Sequence, residues 1–106
     1  MVALYEVLGE LEAERRIAAS VEIIALRLID LRELVASGRV AGIVPMALSV
    51  AEEAAGLGLS ALAGAGRALA LCAAGRDSTA TLAVLARTLR LGEQALGDIL
   101  GGASRG

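Results

Sequence analysis

The sequence has no histidine, no phenylalanine and no tryptophan, and only one tyrosine, one cysteine and one proline among 106 residues. Without histidine the chain cannot form a phosphohistidine. One cysteine and no histidine leave only an all-oxygen metal site, and the carboxylates are scattered, so neither metal nor other cofactor is expected. The single Cys72 excludes an intramolecular disulfide and fits a reducing cytosol. Its neighbours Ala70, Leu71, Ala73 and Ala74 are apolar, which predicts a buried, inert thiol. Lysine is absent as well. Ten arginines against twelve acidic residues give a net charge of −2, so no basic field draws nucleic acid.

Long apolar runs are also missing. Hydrophobic residues make up 57% of the chain, and mean hydropathy is +0.71. A membrane span needs about 20 consecutive apolar residues. Arg39, Glu52, Glu53, Arg67 and Arg76 interrupt every candidate. Residues 1–6 carry no basic region and no cleavage motif, so no signal peptide and a cytoplasmic chain are expected. The apolar excess then implies a small helical domain with a sticky surface, which self-associates or binds a partner.

What remains is alanine, leucine, isoleucine and valine, with 13 glycines as punctuation. No period-2 run of β-branched residues occurs, and the stripes repeat at steps of three and four. Leu4, Leu8 and Leu11 form a first stripe. Ile17, Val21, Ile24, Leu28, Leu31 and Val35 form a second on another face. One straight helix cannot aim both at one core, which predicts a break between Arg16 and Val21 with Ser20 as N-cap. Ser37-Gly38 ends the second helix. Pro45 places the next start near Val44, or near Val40 with a kink, and Gly56 and Gly58 end it. Leu59, Leu62, Gly66, Leu69 and Ala73 make the next stripe, on a helix whose small residues (Ala61, Gly64, Ala65, Ala68) let a neighbour come close. Asp77 or Ser78 caps the last helix, which carries Leu82, Leu85, Leu89, Leu96 and Ile99. Residues 101–106 read as a frayed tail. The expected fold is all-α: one domain over residues 1–106, an antiparallel four-helix bundle with an additional N-terminal helix.

Residues 47–62 read ALSVAEEAAGLGLSAL. This stretch resembles the signature helix of histidine-phosphotransfer (Hpt) domains, roughly His-x-Leu-Lys-Gly-Ser-Ala-x-x-Leu-Gly. Val50, Ala54, Leu57, Gly58 and Leu62 fall on its scaffold positions, and Leu48 falls where the phosphoryl-accepting histidine belongs. LRELVASGRV at residues 31–40 is similar to the family's preceding leucine-rich helix and turn, and LCAAGRD at 71–77 to its Leu-Cys and glycine-acidic turn. The resemblance covers about residues 17–100 and implies the bundle fold, with a response-regulator receiver domain or a histidine kinase as partner. The departures remove the chemistry. Ser49 and Ala51 stand at the family's lysine positions, and Glu52, followed by Glu53, at its glycine. Carboxylates there repel both a phosphoryl group and the acidic pocket of a receiver.

On a helical wheel Ile43, Val50, Ala54 and Leu57 point one way. Val44, Leu48, Ala51 and Ala55 share the other face with Glu52. This second face is either a docking surface for a partner or a second copy, or a stripe covered by the N-terminal helix. Glu52 and Glu53 point about 100° apart, so they make a solvated face rather than a paired-carboxylate site. Gly64-Ala65-Gly66 suits helix packing, and Ser78, Thr79 and Thr81 suit capping. Arg15, Arg16, Arg87 and Arg90 suit surface ion pairs or solvation. No nucleophile–base pair is visible, so no enzyme is expected. The expected function is a noncatalytic Hpt-like interaction module in two-component phosphorelay signalling. The alternative is a homo-oligomeric structural bundle, such as a homodimer.

Overall fold

A computed structural model of the chain describes the backbone of residues 2–104 and the side chains of residues 6–101. Among these residues the structure is all-helical. Helix α1 spans Val2–Ala36, a 3-10 turn spans Val40–Gly42, α2 spans Ile43–Gly56, α3 spans Ser60–Ala74 and α4 spans Ser78–Ser104. Each short connection reverses the chain, and α1 to α4 pack in sequence, with a sparser contact between α1 and α4 closing the ring.

All three reversals use a left-handed residue after the helix end. Gly38 and Gly58 take φ of 72° and 75°, where glycine carries no Cβ penalty. In each turn the next amide bonds back into the helix: Arg39 N–H donates to the Leu34 carbonyl at 2.8 Å, and Leu59 N–H to that of Ala54 at 2.8 Å. In the third turn the left-handed residue is Arg76, at φ 59°, and Gly75 stays right-handed. Asp77 then caps α4: its Oδ1 accepts the Ala80 N–H at 3.0 Å.

The core is aliphatic and small. Ile24, Leu31, Ile43, Val50, Leu62 and Leu69 are fully buried, filled in by Ala47, Ala54, Ala63 and Ala65. Alanine and glycine let α2 and α3 approach closely. A Cβ built on Gly66 would sit 3.0 Å from the Ala47 carbonyl oxygen and 3.1 Å from the Ala51 Cβ. Among the described residues the two buried polar side chains are threonines that satisfy themselves on the preceding turn. Thr81 Oγ1 donates to the Asp77 carbonyl at 2.7 Å, and Thr88 Oγ1 to that of Val84 at 2.8 Å.

The expected break between Arg16 and Val21 does not exist, and neither does a separate N-terminal helix. Helix α1 runs 35 residues without interruption. At 1.5 Å per residue that is about 52 Å, close to the 56 Å longest dimension of the molecule. No proline or glycine lies between Arg16 and Val21 to stop the helix, and Ser20 is an interior residue. The two stripes do point to different faces, but the first one faces no core. Every described side chain from Glu6 to Ala19 is exposed, Leu8 and Leu11 included. The side chain of Leu4 lies outside the described residues. The N-terminal half of α1 is therefore an arm, and the bundle is built on its C-terminal half.

Smaller corrections follow the same logic. Leu82 and Ile17, placed on core stripes, are 54% and 44% exposed. Ile17 lies on the arm, beyond the packed half of α1, whereas Leu82, next to the buried Thr81, borders an open cleft with Val35 and Ile43. Helix α4 continues through residue 101 to Ser104, and residues 105–106 lie outside the described residues. Among the described residues no helix is long and apolar enough to cross a membrane.

Candidate interaction surface

Helix α2 receives its orientation from its first turn. The 3-10 turn leads directly into Ile43, and Pro45 sits in the first turn, where a missing amide hydrogen costs nothing. Gly42 lies against Leu34 of α1, tight enough that a Cβ would meet its side chain. From that anchor Ile43, Ala47, Val50 and Ala54 recur at steps of four and three and face inward, all at 1% exposure or less. Leu57 packs on the same core from the helix end.

The opposite face divides. Leu48 is 49% exposed. Glu52 and Ala55 are exposed, and Val44 is half-buried against the edge of the core. Ala51, read with this face in the sequence, is buried at 3%. The reason is Gly66: with no side chain there, α3 closes onto the Ala51 Cβ and backbone. The candidate surface is therefore Leu48 with Val44, Glu52 and Ala55. The described residues of the α1 arm do not cover it, being themselves exposed.

Sequence reasoning missed other exposed apolar groups. Leu26 and Ile29, 51% and 53% exposed, lie on the outer face of α1, and Leu71 on α3 is 75% exposed. Where the turn after α1 meets the turn before α4, an open apolar cleft of about 470 Å³ is lined by Val35, Val40, Ile43, Thr81 and Leu82, with Arg76. It holds no carboxylate or thiol.

Chemistry-bearing groups do not converge. Glu52 is exposed and Glu53 half-buried, on diverging directions. Cys72 is half-buried, more open than its apolar neighbours suggest, because Leu71 and Ala74 beside it face outward. Among the described residues no three His, Cys, Asp or Glu side chains gather into a metal-sized group. Ion pairs are peripheral: Arg16 with Glu12 at 3.5 Å, Arg27 with Asp30 at 3.0 Å, and Arg32 with Glu93 between α1 and α4. What the arrangement offers is apolar helix surface edged by carboxylates. Compared with known proteins, the chain matches no family model, no curated protein and no solved structure.

Proposed function

We propose that this protein is a noncatalytic helical interaction module that engages another protein through the Leu48 face of α2. The observation that carries the reading is the division of labour on that helix. Its inward face is complete without Leu48, and Leu48 stays half-exposed on the outer one. An Hpt-like role would make the reading specific: Leu48, which the resemblance sets at the phosphoryl-acceptor position, is half-exposed, open to a receiver domain or kinase. The chain has no histidine, so such a module would occupy the docking surface without carrying phosphate. The alternative of self-association is favoured by a separate feature, the apolar outer face of α1.

The test is calorimetric titration of the protein into receiver domains and histidine kinases of its own cell. Saturable binding to at least one is expected. Leu48→Asp should weaken it about ten- to a hundredfold, since burying a leucine is worth roughly 1.5–3 kcal/mol. No binding to any of them, or binding indifferent to Leu48→Asp, would overturn the reading.

A further inference from the structure

Helix α1 repeats every five turns in 18 residues. Leu8 and Leu26 are 18 residues apart, and so are Leu11 and Ile29. In an unbroken helix each pair therefore lies on one line. Arg15, Ala18, Ala19 and Glu22 fall on or beside the same line, and all eight residues are exposed. The face that α1 buries, Ile24, Leu28 and Leu31, is turned about 150° away. The stripe thus runs along both the arm and the back of the bundle, some 32 Å at 1.5 Å per residue.

Its order reads the same in both directions. From the centre toward the N-terminus come Ala18, Arg15, Leu11 and Leu8, at steps of three, four and three. From the centre toward the C-terminus come Ala19, Glu22, Leu26 and Ile29, at the same steps. Small meets small, apolar meets apolar, and the one charged position meets its opposite. Such a stripe is complementary to itself turned end for end, which is the requirement for a two-fold interface.

We propose that the stripe pairs α1 with α1 of a second copy, antiparallel, about a two-fold axis between Ala18 and Ala19. In that register Leu8 packs on Ile29 of the other copy, Leu11 on its Leu26, and Arg15 pairs with its Glu22. Symmetry makes each contact twice. The two alanines let the helices approach at the axis. Neither Arg15 nor Glu22 has an ion-pair partner among the described residues of its own chain, so both are free to pair across the interface. Each arm lies along the back of the other bundle, on the side away from α2, α3 and α4. The Leu48 face is not used, so the dimer and the proposed docking surface stand or fall separately.

Charge reversal tests the register, with mass read by sedimentation equilibrium and folding checked by circular dichroism. The wild-type chain is expected at twice its 10.7 kDa mass. Arg15→Glu places Glu against Glu twice, and Glu22→Arg places Arg against Arg twice. Each is expected to sediment as a folded monomer. An equimolar mixture of the two restores both pairs and should form a dimer. The double variant Arg15→Glu/Glu22→Arg should dimerise as the wild type does. A wild-type chain that stays monomeric into the high-micromolar range would overturn the proposal. So would single variants that dimerise like the wild type, which is what a parallel pairing or a nonspecific apolar contact would give.

Discussion

Gly66 and Ala51 explain why one face of α2 was only partly legible. The sequence places Ala51 on the same side as Leu48, and a wheel drawn for one helix cannot show where a neighbour comes close. That depends on Gly66, on a different helix, where an absent side chain admits the backbone of α2. The small-residue character of α3 was readable, but not which residue made the contact. Gly66→Ala should destabilise the bundle by about 1–2 kcal/mol, because the steric cost of overpacking exceeds the roughly 1 kcal/mol helix-propensity gain. The groups it meets are the Ala47 carbonyl, the Ala51 amide and the Ala51 Cβ, none of which can rotate away. Gly92→Ala meets the tip of the Leu28 side chain, which can turn. Denaturant unfolding should therefore show the larger loss at Gly66. Equal losses, or a gain at Gly66, would refute the close-approach argument.

At the scale of the element, helix ends were legible where backbone chemistry marks them. Gly38, Gly58 and Asp77 each stop or start a helix as their residue types predict. In the third turn residue type does not mark the left-handed position, which falls on Arg76 although Gly75 stands beside it. The expected break in α1 was an inference from two apolar phases, on the premise that every apolar stripe must face its own core. Residues 6–19 break that premise, since their stripe faces none. Ser20 makes the distinction measurable. Loss of an N-cap serine costs about 1 kcal/mol, whereas an interior serine replaced by alanine gains slightly from helix propensity. Ser20→Ala should leave the unfolding midpoint unchanged or slightly raised. A clear drop would restore the break and divide α1 in two.

For the whole molecule, the helical class and the order of helices could be read from periodicity, because Ile24, Leu31, Val50, Leu62, Leu69 and Leu85 all lie where their stripes put them. The shape could not. A bundle with one helix running far past it follows from the absence of any stop residue between Arg16 and Val21, weighed against a change of stripe phase, and only the three-dimensional arrangement decides between those signals. The consequence is a molecule with two exposed apolar helix faces, the outer face of α1 and the Leu48 face of α2, besides Leu71 of α3 and the cleft bordered by Val40 and Leu82. Both faces lie outside the bundle core.

The most direct measurement of that claim is equilibrium unfolding of Leu48→Asp beside Val50→Asp, two substitutions two residues apart on α2. Val50 is fully buried and Leu48 half-exposed. Val50→Asp puts an unpaired carboxylate into an apolar core and should abolish cooperative folding. Leu48→Asp should cost the monomer only about 1–2 kcal/mol, half a leucine's burial plus the poorer helix propensity of aspartate, and leave it cooperatively folded. If Leu48→Asp proves as destabilising as Val50→Asp, Leu48 is covered within its own chain, and the α2 face is not a docking surface.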